Sequence, residues 1–187
     1  LHIPDAPAPD TSRVAGIPGL VLEPAAERAR AQGKSGWLFE LDQPTYVAVV
    51  THAEDQELRK SVYRAWVTRA SDQADYSPGH DNSALIEQIL ALRHEAANII
   101  GYANFAAYSL ATKMARSVDE VREFLIELLR HSRDAARREL QELETFAGRA
   151  LEPWDIAYYS EKLRHEKYSI SDEALRPYFP LPKVLSG

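Results

Sequence analysis

From Val118 to Ala147 the chain contains neither Pro nor Gly, and apolar residues recur every three or four positions. The series runs Val118, Val121, Leu125, Leu128, Ala135 or Ala136, Leu140, Leu143 and Ala147, a stripe along one side of an α-helix. Ser117 and Glu120 form a capping box at its start, and Gly148 supplies a stop. An uninterrupted helix of this length, with helical patterns on both sides of it, sets the fold class as all-α.

The rest of the chain reads in the same way with one exception. Residues 1–19 are rich in Pro and Gly and are expected to be extended or poorly ordered. A short helix follows through "EPAAERARA", with Pro24 near its first turn and Gly33 as its end. "GWLFEL" then alternates, Trp37, Phe39 and Leu41 against Leu38 and Glu40, so a short strand is expected near 36–41. "TYVAVVTHA" fits a second strand or a buried helix; Asp42 as cap and Pro44 in the first turn favour helix. Beyond residue 54, Leu58, Val62, Ala65 and Arg69 keep helical spacing. Asp81 or Asn82 caps a helix over about 83–100, Asn104 caps a short one, Pro153 opens another, and Ser171 begins a last one before Pro180. Residues 20–187 are thus expected to form one helical region without internal repeats.

Composition narrows the function. Net charge is −6, and basic residues alternate with acids along the helices, which disfavours nucleic acid as a partner. No apolar run approaches membrane-spanning length, so no membrane partner is expected. The absence of cysteine fits a reducing compartment, and a cytoplasmic location is expected. The chain begins at Leu1, has its one Met at position 114 and ends at "PLPKVLSG"; such ends read as cuts through a longer protein.

"ALRHEAANII" opens like a zinc-protease helix and then departs from it. His94 and Glu95 begin an H-E-x-x-H pattern, but Asn98 stands where the second imidazole belongs. Asn is a poor zinc ligand, and a single His does not hold the metal usefully. The remaining histidines, His2, His52, His80, His131 and His165, have no second His at ligand spacing. Leu85, Ile89, Leu92, Ala96 and Ile99 form the apolar stripe of this helix, and His94 falls nearly opposite, on a polar ridge with Glu87 and Asn98. The match is a decoy.

Other constellations carry a structural and a functional reading. Glu127 with Arg130 and Asp134 with Arg138 read as solvated helix pairs rather than catalytic carboxylates. Trp66, Arg69 and Asp72 read as a salt-bridge knot at a helix end, with a ligand-gripping Arg as the rarer use. Trp154, Asp155, Tyr158 and Tyr159 cluster on one helix; tyrosines can donate to a substrate carbonyl, but buried packing is their commoner use. No residue is singled out as catalytic or metal-binding, and no substrate-binding residue is identified.

Five ordered runs go further: "GWLFELDQPTYVAVV", "LRKSVYRAWVTRASD", "DNSALIEQILALRHEAANIIGYANFAAYSLATKMA", "LEPWDIAYYSEKLR" and "YSISDEALRPYFPLPKVLSG". Together they resemble the oligopeptidase A family of zinc metallopeptidases, which includes thimet oligopeptidase and the dipeptidyl carboxypeptidases. The resemblance covers nearly the whole chain from about residue 14. It implies a middle fragment of a larger zincin-type, mostly helical enzyme that hydrolyses short peptides in a deep channel. It implies one zinc ion in the parent protein, with H-E-x-x-H and downstream Glu ligands C-terminal to everything present here. No position of this chain matches those ligands, so the fragment is expected to be inactive alone and to pair with the remainder of the parent chain. A stand-alone helical peptide- or protein-binding domain is the alternative. Endopeptidase and dipeptidyl carboxypeptidase action are not distinguished by these residues.

Overall fold

The computed structural model describes residues 2–3, 11–73, 79–169, 178 and 180. The expected last helix after Ser171 lies outside the described residues. Seven α-helices run in order among those described: α1 Gly19–Ala31, α2 Gln43–His52, α3 Gln56–Val67, α4 Ser83–Ile99, α5 Phe105–Leu110, α6 Val118–Ala147 and α7 Ile156–Tyr168. The strand signal survives as β2 (Trp37–Leu38), which pairs antiparallel with β1 (His2–Ile3), His2 opposite Leu38 and Ile3 opposite Trp37. The fold class is all-α, as the periodicity requires. No described helix is long and apolar enough to cross a membrane.

The chain divides into two compact units, residues 1–66 with 142–187, and residues 67–141. The first has a core of Val14, Ile17, Ala25, Phe39, Val49, Ala53, Leu58 and Val62. Val14 and Ile17 come from the segment expected to be extended; Thr11–Val14 instead forms a 3-10 turn, because two apolar side chains there reach the core. Gly16, between them, has φ of +83°, and its backbone lies so close to α2 that an added Cβ would stand 2.2 Å from the His52 carbonyl oxygen. The neighbouring Ala15 carbonyl accepts the Glu54 N–H at 2.9 Å, which ties this strap to the end of α2.

Helix α1 starts earlier than expected. Pro18 stands at its N-cap, so Pro24 falls inside the helix rather than in its first turn. Pro24 has no N–H to give the Leu20 carbonyl, a local cost the buried face of Ala25 and Ala29 outweighs. Those small residues let β2 approach closely, and Arg28 donates from Nε to the Leu38 carbonyl at 3.2 Å. Helix α2 follows the sequence reading: Asp42 accepts the Thr45 N–H at 2.9 Å and the Thr45 hydroxyl at 2.8 Å. These bonds hold its carboxyl below the ordinary value, the backbone bond contributing most. In α3, Leu58, Val62 and Ala65 are buried as their spacing requires, but the helix ends at Val67, so Arg69 sits in the turn beyond it.

The second unit is built differently. Asn82 stands at the N-cap of α4 without a side-chain bond, and the Asp81 carboxylate instead accepts the Ser83 N–H at 2.9 Å and the Ser83 hydroxyl at 2.6 Å. Asn104 caps α5 through the Ala107 N–H at 2.9 Å. At the start of α6 the Ser117 hydroxyl accepts the Glu120 N–H at 3.1 Å, while Glu120 reaches back to the Arg116 N–H at 2.5 Å. The box is therefore offset by one residue on its return side. Only Ala97 is buried among the described residues of this unit, and the expected stripe residue Ala96 is exposed.

Ala70, between α3 and α4, holds a left-handed φ of +54°, and its carbonyl accepts the Asn82 N–H at 2.9 Å. An L-residue there carries a steric cost that glycine does not. Ala70→Gly is expected to stabilise the chain by about 0.5–1 kcal/mol, since the relieved strain exceeds the added unfolded-state entropy. Urea titration of both forms measures the difference, and a lower midpoint in the variant contradicts it.

Candidate functional site

The most organised polar cluster lies in the first unit and joins residues far apart in sequence. Arg59 leaves α3 beside Leu58 and Val62, and Asp155 ends the turn before α7. Their side chains are 2% and 0% exposed and meet at 2.6 Å, Nη2 donating to Oδ1. The other carboxylate oxygen accepts Arg149 Nη2 at 2.8 Å, the Glu152 N–H at 3.4 Å and Gln56 Nε2 at 3.5 Å. Arg59 Nη1 donates in turn to the carbonyls of Ala53 at 2.8 Å and Glu54 at 3.1 Å, at the end of α2. One guanidinium thus fastens the α2–α3 corner to the start of α7.

Aromatic rings enclose this pair. The Arg59 guanidinium lies 4.2 Å from the Tyr158 ring centre, and that of Arg149 lies 5.5 Å from Tyr159. Tyr158 and Tyr159 meet edge to face at 5.2 Å, and Trp154 packs edge-on against Tyr63 at 5.9 Å. Arg59 Nε and Trp154 Nε1 are buried without a hydrogen-bond partner.

The chemistry of this cluster is that of a clamp. Burial pushes the Asp155 carboxyl up, but the bonds from Arg59 and Arg149 outweigh it and hold the group below its ordinary range. A general base needs a free lone pair aimed at a substrate and a pKa near the working pH. Asp155 has neither, since four donors engage its two oxygens. The helix expected to open at Pro153 begins at Ile156 for the same reason: residues 153–155 form a turn, and the Asp155 carboxylate serves arginines rather than capping α7.

The other candidates lie largely at the surface. His94, Glu95 and Asn98 are exposed on α4. Arg69 and Asp72 are exposed in the turn after α3. Glu127 pairs with His131 at 3.8 Å and Asp134 with Arg137 at 3.8 Å, each one position from the expected Arg130 and Arg138, and all four are well exposed. Trp154, Asp155, Tyr158 and Tyr159 do come together, with packing as their visible use. The sequence reading missed Arg59 and Arg149 as their partners. A signal for Arg59 was present: on the helical wheel it falls on the flank of the apolar stripe, beside Tyr63 and Trp66.

Two of the scattered histidines, His52 and His165, line one shallow cavity of about 170 Å³ with Gly16, Thr51, Glu161 and Lys162. Glu161 is committed to Arg164 by bonds of 2.9 and 2.8 Å. Among the described residues, no three His, Cys, Asp or Glu side chains are placed to hold a metal ion. The described residues therefore offer no donor set for a resident metal.

The model of peptidase family M3 matches residues 49–187. Oligopeptidase A of Salmonella typhimurium is 46% identical over 95% of this chain and 27% of its own length. A probable cytosolic oligopeptidase A of Arabidopsis thaliana is 41% identical over 95% of the chain and 26% of its own length. The dipeptidyl carboxypeptidase of Escherichia coli is 29% identical over 95% of the chain and 26% of its own length. The chain therefore spans about a quarter of the length of the curated relatives it matches.

Proposed function

The chain belongs to peptidase family M3, and from that membership we propose that it is a scaffold segment of a zinc-dependent oligopeptidase. The parent enzyme hydrolyses short peptides in a deep channel, in the cytoplasm, with its single zinc held by residues outside this chain. The segment alone does not hydrolyse peptides; its partner is the remainder of the parent chain. The buried Arg59–Asp155 clamp supports this reading, because its carboxylate is saturated by structural donors and serves rigidity rather than proton transfer. Similarity to oligopeptidase A relatives supports the substrate class, and the cytosolic plant relative supports the compartment.

Metal analysis and cleavage of a quenched fluorogenic peptide, run in parallel on this chain and on the family-length protein, test the proposal. The longer protein should carry one zinc and lose turnover to a chelator, while the chain alone does neither. Chelator-sensitive turnover by the chain alone would sink the scaffold reading. A family-length protein without metal or turnover favours a binding domain instead. In the same longer protein, His94→Ala should leave zinc content and turnover within about twofold, because an exposed side chain lacking a second ligand contributes little to a metal site. Loss of zinc from a folded His94→Ala protein contradicts that placement.

A further inference from the structure

The second unit, residues 67–141, lacks what a folded domain of its size needs. Of its described residues only Ala97 is buried. Meanwhile α4 leaves Leu85, Ile86, Ile89, Leu90 and Leu92 46–64% exposed, and α6 leaves Phe124, Leu125, Ile126, Leu128 and Leu129 42–58% exposed. Monomeric soluble proteins rarely leave contiguous apolar surface on this scale without a use for it.

The width of these faces says how they are covered. At about 100° per residue, Phe124 to Leu129 spread over roughly 200° of α6, and the α4 residues over roughly 160°. A helix packed on one side needs an apolar arc of only ~100° or somewhat more. The first half of α6 therefore has to be packed from at least two directions. A two-fold dimer presents one self-complementary patch and covers a helix from one direction. The polar ridge of α6 marks the side that stays wet: Glu127 pairs with His131 and Asp134 with Arg137, with all four side chains at least 64% exposed.

We propose that the apolar arcs of α4 and α6 are packing faces, and that their occupant is apolar helix supplied by the part of the family-length protein beyond these 187 residues. The curated relatives carry about three times as much chain again outside the matched stretch, which is ample to surround both helices. The proposal rests on reading the chain as a segment of such a protein. Peptide cleavage by the same preparation tests that reading separately, so the two can fail independently.

The chain has no cysteine, so single thiols report on each face without background from this region. Ile89→Cys and Leu125→Cys, with Glu87→Cys and Glu123→Cys as controls on the polar ridges, are made in the isolated chain and in the family-length protein. Maleimide labelling at each position is followed by peptide mass mapping. At positions 89 and 125, labelling should slow on the order of 100-fold or more in the longer protein, as for groups reached only when packed structure opens. The control positions should change far less. Hydroxyl-radical footprinting of the unsubstituted proteins reads the same faces if a cysteine variant misfolds, and oxidation of Leu85–Leu92 and Phe124–Leu129 should fall in parallel. Fast labelling at both positions in the folded longer protein overturns the proposal. Slow labelling already present in the isolated chain also overturns it: concentration dependence there names a second copy as the occupant, and its absence places the cover within these 187 residues.

Discussion

Asp155→Ala should lower the stability of the chain by about 3–5 kcal/mol, the usual loss when one member of a buried ion pair is removed. The cost arises on Arg59, whose guanidinium is buried and would lose the acceptor at 2.6 Å while keeping only the Ala53 and Glu54 carbonyls. Three further measurements separate this cause from simple loss of packing. Asp155→Asn keeps an acceptor of the same shape and should lose less. The double variant Arg59→Met with Asp155→Leu removes both charges and should recover most of the loss. The third is pH: a carboxyl whose folded pKa lies below its unfolded one contributes fully above about pH 4 and loses that contribution as pH falls through the folded value. The acid limb of the stability profile should therefore flatten in Asp155→Asn. Urea titrations across pH 2–7 check all four, and an Asp155→Ala chain within about 1 kcal/mol of the parent denies the clamp its structural role.

Gly16→Ala should be nearly as damaging, by about 3 kcal/mol or more. Two costs add: a left-handed φ for an L-residue, about 1–2 kcal/mol, and overpacking against a fixed neighbour, about 1–3 kcal/mol. The neighbour here is the His52 carbonyl oxygen, 2.2 Å from where the Cβ would stand, and backbone cannot rotate away as a side chain can. Gly33 is the internal control. Its φ of +67° matches, but nothing lies within 4 Å of its added Cβ, so Gly33→Ala should show only the first cost, about 1–2 kcal/mol. Equal midpoints for the two variants in a urea titration would show that the strap does not press on α2.

What the sequence disclosed follows the range of the interaction concerned. Asp42, Asn104 and Ser117 were readable as caps because each cap is decided within three residues by the shortage of partners for the first N–H groups of a helix. Leu58, Val62 and Ala65 were readable as one buried face because a single helix period fixes it. The stripe of α6 was equally clear as a period, yet none of its residues is buried, since period sets which side is apolar and not what covers it. Pro24 was misplaced because packing against β2 extended α1 past its local start signal. The tie from Arg59 to Asp155 spans 96 positions and has no local signature beyond a charge on an apolar flank. Family resemblance was legible because it is carried by ordered runs rather than by any single contact, and the match over residues 49–187 agrees with it.

That 96-position tie also has a consequence in time. The first unit is discontinuous in sequence, so its early helices are made well before the turn that bears their counter-charge. At synthesis rates of roughly 5–20 residues per second, Asp155 is added about 5–20 s after Arg59. Through that interval the corner between α2 and α3 has only its own carbonyls to hold the guanidinium, with Tyr158 not yet made. The core from Val14 to Val62 is complete in sequence by then, so what waits for the ribosome to reach α7 is the locking of that corner, not the burial of the core.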